Sequence, residues 1–275
     1  MIAVTGASGF IGRAVVKEAR GRGLEVQEID RALGVDVLGP HLAHALDGCK
    51  AVIHLAGMLG THELFDQAEA AVNVNVNGSI RVLDCCHRMG LRFVTITMPQ
   101  IWDNVYTATK EATTRLARAW HETHGVPVSF VRAFNVFGPG QHYGSPQKII
   151  PTFAVRAWQC QPLPIWGDGR QLVDLVYSQD VARMLIDALE FGECETFDAG
   201  TGQAMTVNDV ADLVIQLTDS PSKVEHLPMR RGERPGETRT VATGEGWDLL
   251  GWHPEWDQAN LATTVNWYEH HAYAC

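Results

Sequence analysis

Short apolar runs and longer amphipathic stretches alternate through the first half of the chain. Met1–Thr5 is apolar until it meets Gly6, which predicts a strand buried on both faces. Phe10–Arg22 then sets Ile11, Ala14, Val15 and Ala19 at helical spacing. Leu24–Ile29 reads as a second strand closing at Asp30, His41–Leu46 as a short helix, and Ala51–His54 as a third strand. A long helix is predicted over much of Phe65–Met89, with Val72, Val76, Ile80 and Leu83 along one face. Phe93–Ile96 is a fourth strand and Val128–Val131 a fifth. Between them, Tyr106–His124 is a helix with Ala112, Leu116, Ala119 and Trp120 in phase.

Such alternation predicts an α/β fold, a Rossmann-type doubly wound parallel sheet with helices on both faces. Ligands then sit at the carboxyl ends of the strands, where Gly6, Asp30, Gly57, Thr97 and Arg132 are expected to converge. After Gly138-Pro139-Gly140 the regular alternation fades, leaving helices near Gln179–Glu190, Val207–Leu217 and Gln258–His270. The expected division is a dinucleotide-binding domain over 1–150 and a smaller C-terminal α/β substrate domain over 151–275, with strands near 172–200 returning to the first.

The net charge of −10 over 275 residues argues against nucleic-acid partners and against an anionic membrane surface. No apolar run is long enough to span a bilayer, and the first residues enter a strand, so no signal peptide is expected. The six cysteines include no C-x-x-C, which points to a reduced, cytoplasmic chain without a disulfide framework or zinc site. His41/His44 and His121/His124 have helical ligand spacing but no third ligand in register, so no metal is expected.

The chemistry begins at Gly6-Ala-Ser-Gly9-Phe-Ile-Gly12, between the first strand and the first helix. In this setting the first glycine allows a tight turn, the second lets a pyrophosphate approach the backbone, and the third lets helix and strand pack closely. Asp30 follows 18 residues after Gly12. A carboxylate there accepts ribose hydroxyls and repels a 2′-phosphate, which favours NAD over NADP, although Arg31 next to it could serve a phosphate. Asp36 is placed to reach the adenine amino group.

Tyr106 and Lys110 lie four apart and share a helical face. A free tyrosine titrates near 10, so a base at pH 7 needs about three units, or roughly 4 kcal/mol. One ammonium about 4 Å away at an effective dielectric near 20 supplies about that much. Upstream, Thr97-Met98-Pro99 leaves Thr97 as the candidate third member of the centre.

In order, the glycine turn, Asp30, His54-Leu-Ala-Gly57, Asn75-Val-Asn77-Gly78, Tyr106-x-x-x-Lys110 and Arg132-Ala-Phe-Asn135-Val-Phe-Gly138-Pro139-Gly140 resemble an extended short-chain dehydrogenase/reductase. The particular likeness is to the NAD-dependent nucleotide-sugar epimerase/dehydratase family, and it continues through Trp166–Ala182, Arg234-Pro-Gly-Glu237 and Leu250-Gly-Trp252-His-Pro254. The resemblance implies cofactor contacts from Gly6, Ser8, Gly9, Phe10, Ile11, Gly12, Asp30, Asp36, Val37, Leu55, Ala56, Gly57, Asn75, Tyr106 and Lys110. It implies substrate contacts from Asn135, Arg170 and Arg234 to a nucleotide-diphosphate sugar. Arg230, Arg231, Arg234 and Arg239 form the densest cationic stretch in an acidic chain, suited to a diphosphate. A homodimer through a four-helix bundle, built from Phe65–Met89 and Tyr106–His124, is also implied.

The implied activity is 4-epimerisation by transient oxidation at C4. The alternatives are 4,6-dehydration, 4-keto reduction, or an NAD(P)-binding regulator whose catalytic site has decayed. Three departures bear on the choice. Met98 stands where the family places a hydroxyl, the segment before Tyr106 is short, and an arginine typical before Asp174 is Val173. Pro99-Gln100 also occupy the place of the dehydratase acidic pair, which lowers the expectation of dehydration.

Overall fold

The computed structural model describes residues 1–99, 103–230 and 239–272. Six strands form a parallel central sheet: β1 (Ile2–Thr5), β2 (Val26–Ile29), β3 (Ala51–His54), β4 (Arg92–Thr97), β5 (Val128–Ala133) and β6 (Glu193–Ala199). Their spatial order is β6-β5-β4-β3-β1-β2, so the winding reverses between β1 and β3 and opens a crevice at their carboxyl ends.

Strand alternation feeds two cores. Val4, Ile53, Val94 and Val131 face α1 (Phe10–Gly21), while Ala3, Val52, Phe93 and Phe130 face α2 (Gly78–Met89) and α3 (Val105–His124). A third core lies among α4 (Ile149–Trp158), α6 (Val207–Thr218) and α7 (Gln258–Ala272), with Phe153, Ile165, Val214 and Tyr268 at its centre. Between these, α5 (Ser178–Asp187) leads back to the main sheet and packs on α1.

The long helix expected over much of 65–89 runs without a gap from Ala68 to Met89, with a π-turn inside it. A 3-10 turn (Glu63–Asp66), a short α-helix (Ala68–Val72) and a π-turn (Asn73–Asn77) precede α2. The expected apolar stripes are rotated. Ala71, Asn75, Ser79, Val82, Leu83 and Cys86 are buried, whereas Val72 is 44% exposed and Val76 and Ile80 are half-buried. On α3 the buried positions are Thr109, Thr113 and Ala117, and Ala119 is exposed. The reason is a polar network beneath the two helices, which needs Asn75, Ser79, Thr109 and Thr113 inside. Strands were expected near 172–200, but the partners in the small ladders of the second half were not, because such short strands show no period. These ladders pair Asn135–Phe137 with Leu175–Tyr177 and Leu163–Trp166 with Val224–Leu227.

Candidate active site

The glycine turn sits at the β1 end of the crevice. Gly6 has φ +70°, and a Cβ there would lie 2.7 Å from the Ala56 nitrogen. A Cβ on Gly12 would lie 2.1 Å from the Gly6 carbonyl oxygen, so α1 can approach β1 only through glycine. No side chain caps the start of α1, whose first-turn N–H groups are left for an anion. Asp30 accepts from the backbone N–H groups of Ser8 (3.1 Å) and Ala32 (2.9 Å) and lines the cleft beside Arg31, Asp36 and Val37. An uncapped helix, a backbone free of side chains and a carboxylate at the end of β2 fit a dinucleotide.

From this turn a cleft of about 1100 Å³ runs across the strand ends to the second body of the fold. Phe10, Ile11, Leu55, Ala56 and Gly57 line its first part, and Tyr106 and Lys110 line it from α3. Asn135 lines it from the strand after β5, with a buried Oδ1 that has no hydrogen-bond partner among the described residues. Burial pushes Tyr106 up to about 12 and Lys110 down to about 8. Without a ligand, then, the surroundings disfavour both the phenolate and the ammonium.

A buried network holds the turn of α3 that carries these two residues. Thr5 Oγ1 accepts from Leu55 N–H (3.1 Å) and Ala56 N–H (3.2 Å), so its own proton goes to His54 Nδ1, 2.7 Å away. His54 Nε2 therefore carries hydrogen and donates to Ser79 Oγ (2.9 Å), and Ser79 donates to the Asn75 carbonyl (2.6 Å). Asn75 Nδ2 donates to Thr109 Oγ1 (3.0 Å), which donates to the Tyr106 carbonyl (2.9 Å). Burial first, and then the charge of Lys110, push His54 down to about 3, so it is neutral across the physiological range.

Several expected site residues lie elsewhere. Thr97 does not line the cleft; its hydroxyl is 3.0 Å from Thr114 Oγ1, on the α3 side of β4, while Met98 faces the cleft. Strand alternation is the reason: Phe93, Thr95 and Thr97 share the face turned to the helices. Asn75 is a brace under the site, since its side chain accepts from Met58 N–H (2.7 Å) and donates to the Met58 carbonyl (3.0 Å). Ser8 stays outside the lining, its N–H on Asp30 and its carbonyl held by Arg13 at 2.5 Å. Arg170 is turned to solvent and paired with Asp168 at 2.8 Å. Arg132 pairs with the buried Asp198 at 2.6 Å, away from the cleft. Arg234 lies outside the described residues.

The sequence did not single out Lys148, which lines the cleft just before α4. Nor did it single out the contact of Arg230 with Trp166, whose ring centroid is 4.5 Å from the guanidinium carbon. An isolated lysine carries no spacing signal; the motif-like approach of Pro146 to Ile149 to the cleft became visible only with the fold.

Comparison with known proteins agrees with this geometry. A family model described as the NAD dependent epimerase/dehydratase family matches residues 2–98 and 99–200. A dTDP-glucose 4,6-dehydratase of Xanthomonas campestris is 26% identical over 332 residues, covering 96% of this chain and 92% of that protein. UDP-glucose 4-epimerase of Thermotoga maritima, solved with UDP-glucose, superposes with a TM-score of 0.89 at 23% identity, covering 98% of this chain and 99% of that one. MoeE5, solved with UDP-glucose and NAD and again with UDP-glucuronic acid and NAD, gives 0.87 at 27% identity, covering 98% and 99%. With the match extending through the glycine turn, the Tyr106/Lys110 helix and on to the end of β6, the chain belongs to the NAD-dependent epimerase/dehydratase family of extended short-chain dehydrogenases/reductases.

Proposed function

We propose that this protein is an NAD-dependent nucleotide-sugar 4-epimerase. The observation that carries the reading is that Tyr106, Lys110 and Asn135 line the same cleft as the glycine turn. NAD, held by the turn and Asp30, supplies a hydride acceptor that can return what it takes. Tyr106 removes the proton of the sugar C4 hydroxyl as that carbon is oxidised, and gives it back after the ketone has turned over. Lys110 lends positive charge to the phenolate and holds the nicotinamide ribose. Asn135 orients the sugar or its diphosphate.

Dehydration would need a further acid and base at the sugar. Among the described residues, the carboxylates lining the cleft are Asp30 and Asp36, both in the segment after β2, at the adenosine end. That favours epimerisation. The decayed-site reading has one observation in its favour, that Met98 lines the cleft while the Thr97 hydroxyl meets Thr114 outside it.

Incubating NAD-loaded protein with UDP-, GDP- and dTDP-hexoses, and following C4 configuration by proton NMR, separates these readings. Epimerisation lost in Tyr106→Phe supports the first. A 4-keto-6-deoxy product would replace it with dehydration, and retained NAD without turnover of any sugar would leave the regulator.

We also propose that the chain is a homodimer. Val72, Val76 and Ile80, with Ala112 and Ala119 on α3, are apolar positions left exposed or half-buried on the outside of the fold. Sedimentation should give twice the chain mass, and Val72→Glu with Ala119→Glu should give the monomer.

A further inference from the structure

We propose that Arg13 is a positioning residue that ties the cofactor turn to the loop over 138–142, so that bound NAD orders that loop. Arg13 follows the last glycine of the turn and stands on the exposed side of α1, outside the cleft lining. Its guanidinium donates to two main-chain carbonyls from distant parts of the chain, Ser8 at 2.5 Å and Gly140 at 2.9 Å. Ser8 is itself held from its other side, since its N–H donates to the Asp30 carboxylate at 3.1 Å. A line of hydrogen bonds thus runs from the carboxylate that fits the adenosine ribose, through Ser8 and one guanidinium, to Gly140.

The loop has little to hold it from within. Its internal backbone bond, from Gln141 N–H to the Gly138 carbonyl, is 3.4 Å long. Its outer ties are Arg13 on α1 and the Tyr268 hydroxyl on α7, which donates to the Gln141 carbonyl. Gln141 and His142 line the cleft together with Asn135, so the position of this loop shapes the site. NAD that places its ribose hydroxyls on Asp30 fixes Ser8. The rigid fork of Arg13 then passes that order to Gly140, at little further cost in side-chain freedom. A second contact between the same parts is steric. A Cβ on Gly138 would lie 3.5 Å from the Phe10 ring and 2.3 Å from Ser178 Oγ. Such packing limits how near the loop can come, whereas the two hydrogen bonds of Arg13 fix its direction.

The experiment is hydrogen–deuterium exchange on the full-length protein, first stripped of nucleotide and then saturated with NAD. It uses no sugar, so failure here and failure of the epimerase reading are separate results. In the wild type, NAD should slow exchange of the amides in 138–142 by about fivefold or more, the lower end of what coupled sites show. Arg13→Met should keep the NAD-dependent slowing over 6–12 yet lose the response at 138–142. Arg13→Lys, which keeps a donor, should recover part of it. A role in stability alone would quicken exchange of the loop equally with and without NAD and leave the NAD response in place. That outcome, or a wild type whose loop does not respond to NAD, overturns the proposal.

Discussion

Thr97 and Thr114 meet at 3.0 Å, hydroxyl to hydroxyl, on the side of β4 turned away from the dinucleotide cleft. The position that does face the cleft holds Met98. Thr97→Val should therefore change kcat by less than about twofold, since it removes only a hydrogen bond between two hydroxyls outside the site. Met98→Ser should raise kcat by tenfold or more, toward the roughly 10²- to 10³-fold that one well-placed donor contributes. Steady-state kinetics on the epimerised sugar check both. A loss with Thr97→Val and no gain with Met98→Ser would return the hydroxyl role to Thr97.

Tyr106 cannot act as a base near pH 7 with the charges the protein alone supplies. Burial places it at about 12. Bringing it to 7 takes about five units, or about 7 kcal/mol, and one ammonium at about 4 Å supplies about 4 kcal/mol at an effective dielectric near 20. The remainder requires a second positive charge, which oxidised nicotinamide carries. The unprotonated phenol is the active form, so kcat should rise with pH, with unit slope, through an apparent pKa well below 12 in the NAD-loaded enzyme. Lys110→Met should move that limb upward by about three units and lower kcat at pH 7 by about 10³-fold. The full pH–rate profile of both proteins measures this; an unmoved limb would show that the lysine charge does not set it.

The main elements could be read from the sequence where apolar residues mark the inside. β1, α1, β3 and α3 lie within a residue or two of their expected bounds because each has a clear period and a glycine or capping residue at its end. The same logic misplaced the faces of α2 and α3. There the interior is polar, with Ser79 and Thr113 both reaching the Asn75 carbonyl, at 2.6 Å and 2.8 Å, while Val72 stands in solvent. A period assigns apolar residues inward and has no means of knowing that hydroxyls are satisfied there. Lys148 escaped for a different reason: it reaches the cleft only because of where α4 begins, and no spacing in the sequence marks that.

Gly12→Ala tests the dinucleotide turn directly. Its Cβ would fall 2.1 Å from the Gly6 carbonyl and 2.9 Å from the Ala7 backbone, contacts made by main chain that cannot swing aside. α1 must move off β1, and its uncapped N-terminus moves with it. The variant should remain folded by circular dichroism, because the Val15 and Ala19 face of α1 still packs on the sheet, yet release no NAD on denaturation. Retained NAD at wild-type stoichiometry would mean that the cofactor is held somewhere other than this turn.

His54 should make the protein sensitive to acid. Folded, it stays neutral down to about pH 3; unfolded, it takes up a proton below its ordinary value of 6.5. Between those values the unfolded chain binds more protons, so this contribution to stability is complete above 6.5 and declines as pH falls through the window. From pH 7 to pH 5 the loss from this one residue is about 2 kcal/mol, at about 1.4 kcal/mol per unit. Protonation would also place hydrogen on Nδ1 against the Thr5 hydroxyl, which would then have to give up its own donation there while still accepting from Leu55 and Ala56. Urea denaturation at the two pH values measures the loss. In His54→Asn, which keeps a polar side chain but does not titrate, the pH 7 stability should be lower and its fall to pH 5 smaller by about 2 kcal/mol. An equal fall in both proteins would assign the acid sensitivity to other groups.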